Sequence, residues 1–498
     1  MDGKKGIKNI FYGVIAQAIT IILGIIIPRL VLVNLGSEAN GLLTSVNNIL
    51  TYMSLLEAGV GTATQQALYE PVAEQKHHDI NRIMAATHYF YKRTGYVYTA
   101  IVILVSVVYT LFVNSDIPKM SVFLVVLLTG LSGVLSYFFQ GKYRILLTAE
   151  GKGYILTNIG TIRTIGASLT KAVLLICGFN VVAVQTSYFI YNFIQMLVIV
   201  VYMRRHYKWI DLSVEPAFEA LAQKNAVLVH QISGLIFNNT DVLLLTFFAS
   251  LKVVSVYSLY ALIFGYVKTV AVILSESFIY ALGQSYHDRK RFMPMFDAYE
   301  VYNMALTFTL FCIAKIFILP FLTLYTQGVT DIQYIDKLLP WLFAAFYLLH
   351  NARNSSAHVI NFAQHFEKTK WRSVLESVIN LTVSILAVHR WGIYGVLIGT
   401  IAALLYRAND MILYASKLLQ RSPLVTYRRW FVNIVIFVFL DAVFSKINLS
   451  AAGYLQMVVK AAGVSICVSA VFAVVNMIFE KDAVWYGIRV IKRTLRRR

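Results

Sequence analysis

Apolar residues run in blocks along this chain, most of them close to 20 residues or longer, and each block is closed by a polar stretch. A helix needs roughly 20 apolar residues to cross the hydrocarbon core of a bilayer, because every backbone N–H and C=O must be paired where no water reaches. About fourteen blocks fit: residues 9–34, 39–62, 94–114, 120–147, 154–177, 181–203, 226–248, 253–282, 300–326, 335–362, 372–388, 393–416, 430–447 and 453–479. The pattern predicts an all-α polytopic membrane protein. The opening stretch "MDGKKGIKNIFYGVIAQAITIILG" has the basic flank of a signal peptide, but its apolar run is too long and no small-residue cleavage site follows, so it reads as a retained first helix.

Composition supports the pattern, with 58% hydrophobic and 14% charged residues over 498 positions. The net charge of +20 would suggest nucleic acid in a soluble protein, yet the basic residues alternate from one connection to the next. One set of connections holds Arg82, Lys92 and Arg93, then Lys142 and Lys152, then Arg204, Arg205 and Lys208, and onwards to the tail from Arg489 to Arg498. The other set holds little beyond Lys119, Lys252, Lys337, Arg390 and Lys446. This bias places both termini in the cytoplasm and removes nucleic acid as a partner. Cys177, Cys312 and Cys467 sit inside apolar blocks without metal-ligand spacing, so no metal or cofactor is expected.

The polar linker at 204–225 separates two halves. Gly178 and Gly392, Gly41 and Ser255, and Arg144 and His358 each stand 214 positions apart. That common offset predicts two pseudo-equivalent six-helix lobes, at 1–210 and 211–425, followed by a helix pair and basic tail at 426–498.

Several ionisable residues fall within the blocks, where a charge costs at least about 2.5 kcal/mol and marks a site or a water-filled cavity. Arg163, Lys268, Lys315 and Arg353 are the cavity candidates, whereas Arg407 has Asp410 one turn on to neutralise it. The tenth block puts Tyr347, His350, Asn354, His358 and Asn361 on one helical stripe. Comparable polar stripes carry Gln17 on the first helix, Asn47 on the second, and His230, Asn238 and Asp241 on the seventh. Together they predict one hydrated, cationic cavity suited to an anion such as a phosphate. The acids Glu57, Asp241 and Glu276 lie towards helix ends, which disfavours a carrier of cationic drugs. Arg29 lies near the outer end of the first helix, off the Gln17 stripe and next to Pro28, and is the candidate gate residue with Asp241.

Four stretches, "PRLVLVNLGSEANGLLT" (28–44), "LLEAGVGTATQQALYEPVAEQ" (55–75), "NNTDVLLLTFFAS" (238–250) and "GIYGVLIGTIAALL" (392–405), resemble the Wzx-type oligosaccharide flippases of the multidrug/oligosaccharidyl-lipid/polysaccharide (MOP) exporter superfamily. The second half departs from this at "FASLKVVSVYSLY", which lacks the counterpart of Gly41. The resemblance implies a non-enzymatic flippase in the bacterial cytoplasmic membrane that moves an undecaprenyl-pyrophosphate-linked oligosaccharide from the inner to the outer leaflet by alternating access. Membrane lipids and polysaccharide polymerase or assembly proteins would be its other partners. A lipid II flippase and a multidrug exporter of the same superfamily are the alternative readings. A membrane polymerase or glycosyltransferase fits poorly, because the external connections are only a few residues long, and a scaffold would leave the polar stripes unexplained. No nucleotide-binding loop is present in the sequence, so the energy would come from an ion gradient, the membrane potential or consumption of product.

Overall fold

The first two expected spans join in one long helix, α1 (Gly3–Met53), interrupted at Gly36, whose φ of 83° lies in the left-handed region that glycine reaches without a Cβ clash. Ser37 opens the second segment, and its N–H and hydroxyl donate to the Asp331 carboxylate at 2.8 and 2.6 Å. This carboxylate replaces partners that a helix start lacks. The structure is a computed structural model that describes residues 3–53, 60–221, 239–276 and 278–495.

Further along the chain follow α2 (Val60–Ala73), α3 (His77–Phe112), α4 (Lys119–Leu135), a π-helical turn (Ser136–Gln140), α5 (Gly141–Ala149), α6 (Gly153–Ile176) and α7 (Val181–His206). Next are α8 (Asn239–Phe248), α9 (Leu251–Glu276), α10 (Ile279–Ser285), α11 (Arg289–Tyr325), α12 (Leu339–Ala352) and α13 (Asn354–Phe362). The chain ends with α14 (Phe366–Trp391), α15 (Ile393–Leu419), α16 (Leu424–Phe444), α17 (Tyr454–Phe479) and α18 (Lys481–Leu495). No strand occurs among the described residues. Ten of the described helices are long and apolar enough to cross a membrane, which makes this a multi-pass membrane protein.

Ten differs from the expected fourteen for identifiable reasons. The first two blocks share α1, the seventh is described only over α8, and the tenth is divided at Arg353 into α12 and α13. The thirteenth, α16, is long enough but carries Arg428, Arg429 and Asp441. The expected basic tail begins as a helix, α18, that packs on α11 and α17.

The chain divides into two units, Met1–Ser255 with Gly328–Ile332, and Val256–Gln327 with Gln333–Arg498. In the first, α1 lies along α6, α3 along α4, and α4 and α6 against α7. Buried polar pairs join these helices: Gln185 donates to Thr129 at 2.7 Å, Asn40 to Ser255 at 2.9 Å, and Thr246 to Ser45 at 2.7 Å. In lipid, such hydrogen bonds and close packing replace the hydrophobic drive that associates helices in water.

The second unit is built around α11, which contacts α12, α16, α17 and α18. Phe264 of α9 stacks on Phe311 of α11 and on Phe343 and Tyr347 of α12, with ring centroids 5.8–6.2 Å apart. Gly395 and Gly399 form a G-x-x-x-G pair on α15. A Cβ at Gly399 would come within 2.1 Å of the Ser384 hydroxyl, so these glycines permit the close packing of α14 on α15.

Candidate functional site

Arg353 sits between α12 and α13, at the one interruption of the polar tenth block. The local sequence "HNARNSS" supplies side chains that compete with the helix ladder for backbone partners. Asn351 donates to the Tyr347 carbonyl at 2.9 Å. Ser355 accepts from Asn303 of α11 at 3.1 Å, and Asn303 in turn accepts from Ser275 of α9 at 2.6 Å. This buried seam ties three helices together around the break. The interruption is a single residue: Arg353 keeps helical angles of −70° and −13°, and its carbonyl still accepts from the Ala357 N–H at 3.1 Å.

Charged side chains converge on the same place. Lys268 of α9 approaches His350 of α12, with Nζ 3.4 Å from Nε2. The Arg353 guanidinium donates to Glu376 of α14 at 2.6 Å, and Arg407 of α15 lies 3.4 Å from the other Glu376 oxygen. Arg407 also pairs with Asp410 at 2.7 Å, and Asp410 receives Arg372 as well. Four cations, Lys268, Arg353, Arg372 and Arg407, therefore stand against two carboxylates, Glu376 and Asp410. The surplus lies at Lys268, which has no carboxylate partner among the described residues.

The other expected site residues each have surroundings of their own. Lys315 forms an ion pair with Asp441 of α16 and lies 4.0 Å from the Trp341 ring centroid, which makes it a clamp between helices. His358 packs against Tyr299, with ring centroids 6.2 Å apart, and Asn354 opens α13 half-buried. In the first unit, Arg163 of α6 donates to Asn192 of α7 at 3.2 Å and lies over the Tyr188 ring. Its Nε is buried without a hydrogen-bond partner among the described residues. Gln17 is half-buried on α1, Asn47 is exposed, and Arg29 is half-buried. Asp241 is buried, next to Thr240, whose hydroxyl is 3.0 Å from that of Tyr52. Asn238 and His230 lie outside the described residues.

The structure adds acids that the sequence analysis did not single out. Glu300, Glu376 and Asp441 are all buried, each with an arginine or lysine partner. A signal was available for Glu376 and Asp441, which are acids inside apolar blocks, whereas Glu300 stands at the edge of its block one turn from Asp297. What it lacked was the partner, which comes from another helix in every case.

No family model and no curated protein matches the sequence. The architecture is nonetheless that of solved membrane transporters of the MOP superfamily. A structure of the lipid II flippase MurJ in an inward closed conformation aligns at TM-score 0.72 with 14% identity, covering 95% of this chain and 99% of that one. An inward-facing multidrug resistance MATE family transporter of the MOP superfamily aligns at 0.62 with 15% identity, over 82% of this chain and 96% of that one. The MATE multidrug transporter DinF-BH in complex with R6G aligns at 0.54 with 12% identity, over 83% and 95%.

Proposed function

We propose that this chain is a flippase for an undecaprenyl-pyrophosphate-linked oligosaccharide, which it moves from the inner to the outer leaflet of a bacterial cytoplasmic membrane for cell-surface polysaccharide biosynthesis. Two pseudo-equivalent lobes would alternate access to a cationic cavity, with both termini in the cytoplasm. The observation that carries the reading is Lys268, a cation within an apolar span, in a cluster with more positive than negative charge. Such a group is expensive to keep unless it meets an anion, and a pyrophosphate supplies one. Arg163, in the first unit, is a further candidate for anion binding, because it too lacks a carboxylate among the described residues. Arg29 and Asp241 are the proposed gate.

Lipid II transport is the second reading, favoured by the extent of the fold shared with MurJ. Both substrates carry a pyrophosphate, so the charge cluster does not choose between them. Complementation does: the chain is expressed in a strain depleted of its lipid II flippase and, separately, its gene is deleted in the native host. Accumulation of lipid-linked oligosaccharide in the deletion strain, with no rescue of the depleted strain, supports the oligosaccharide reading. Rescue without accumulation supports the lipid II reading instead.

A further inference from the structure

A concavity lies within the first unit. It has a volume of about 510 Å³ and is framed by the α2–α3 connection, the α5–α6 connection and the end of α7. That volume falls in the range of small-molecule sites, roughly 300–1,000 Å³. Its walls are two stacked aromatic pairs: His77 on Trp209, with centroids 4.0 Å apart and planes within 12°, and His206 on Tyr202, at 4.3 Å and 22°. The Trp209 wall is held in place, because its carbonyl accepts from the buried Asn81 side chain at 3.1 Å.

The floor is polar and internally neutralised. Lys152 lies 2.6 Å from the Glu150 carboxylate and donates to the Tyr207 hydroxyl at 2.7 Å, while that hydroxyl donates to Glu150 at 2.5 Å. Burial and the neighbouring carboxylate both raise the Tyr207 pKa, so the hydroxyl keeps its proton as a donor. With its ammonium already paired to Glu150, this pocket offers little to a phosphate or other anion. An acyl chain would strand the polar floor without partners. A pyranose matches both surfaces, because its ring presents C–H faces to aromatic walls and hydroxyls to paired donors and acceptors.

We infer that this pocket binds a sugar unit of the glycan, on the side of the membrane where the connections are basic. The inference rests on the reading of the chain as a glycan carrier. Lys152, Arg204 and Arg205 lie in or beside these connections, and the positive-inside bias assigns that side to the cytoplasm, where a glycan awaiting transport would be met. The pocket then reads sugar identity while Lys268 and Arg163 respond to the pyrophosphate common to all such lipids.

The test is saturation-transfer NMR on the full chain in detergent micelles, with methyl glycosides of glucose, galactose, N-acetylglucosamine and glucuronic acid, and with uridine diphosphate as a nucleotide probe. At least one glycoside is expected to receive transfer from aromatic protons, reduced at least tenfold in Trp209→Ala and retained in Trp209→Phe. Tyr202→Leu, in the other stacked pair, provides a second variant and is expected to weaken binding likewise, with size-exclusion profiles confirming folded protein. No transfer to any glycoside, transfer to uridine diphosphate alone, or undiminished transfer in both Trp209→Ala and Tyr202→Leu would overturn the assignment. Glycoside binding at Trp209 with no lipid-linked glycan accumulating in the deletion strain would leave the pocket standing and remove the carrier reading. Accumulation without glycoside binding would do the reverse.

Discussion

Two of the four lysines and arginines expected to line a cavity are neutralised on another helix: Arg353 by Glu376 and Lys315 by Asp441. Lys268 and Arg163 keep their surplus charge. The distinction predicts opposite effects on stability. Removing one partner of a buried pair leaves an uncompensated charge and costs about 3–5 kcal/mol. Glu376→Gln should therefore lower the melting temperature of the purified protein strongly. Lys268→Met removes a half-buried charge that has no carboxylate partner among the described residues, so the same thermal melts should show unchanged or raised stability, while export of surface glycan falls at least tenfold. A Lys268→Met protein that is destabilised as much as Glu376→Gln would show that Lys268 is a structural residue. The trade of stability for function at one side chain is common at binding sites.

Among the elements, α11 is the brace to which the last three helices are fixed. At its basic end Arg421 and Arg429 meet Asp297 and Glu300, and Arg429 also reaches Glu480 beyond α17; near its other end Lys315 meets Asp441. Glu300 is 1% exposed, so Glu300→Gln should destabilise by about 3–5 kcal/mol, read as a fall in the denaturation midpoint. At the start of α12, Asp336 accepts from the Leu338 and Leu339 N–H groups at 2.7 and 2.9 Å and from the Tyr394 hydroxyl. Burial alone would raise this carboxyl, but the three donors outweigh it and hold the pKa below the usual value. A depressed native pKa adds stability that is present above the unfolded value near 3.9 and disappears as pH falls through the native one. Asp336→Asn should cost about 1 kcal/mol at pH 6, as loss of a helix cap does, and the difference from wild type should shrink below about pH 4 in thermal melts.

How much of each element the sequence revealed follows the same physics. Spans such as α6, α7, α15 and α17 were legible because a continuous apolar run has one solution in lipid. The polar tenth block was legible as unusual, and Lys268, His350 and Arg353 do converge there. The break at Arg353 was not, because helical periodicity continues through it. The partners Glu376 and Asp441 were missed because pairing between helices leaves no spacing rule in one sequence. Trp209 and His77 were missed because their aromatic pair spans two connections far apart in the chain.

Over the whole molecule, a polytopic fold shared with MOP-superfamily transporters carries a net-positive cluster at a helix break in one unit and a neutral aromatic pocket in the other. The most direct measurement is translocation in proteoliposomes, with undecaprenyl-pyrophosphate-linked oligosaccharide placed in one leaflet and its exposure in the other followed by a membrane-impermeant glycosidase. The account predicts exposure well above that of protein-free vesicles for the wild-type chain, and a loss of at least tenfold for Lys268→Met reconstituted at equal amount. Translocation equal to that of empty vesicles, or undiminished by Lys268→Met together with Arg163→Gln, would contradict it.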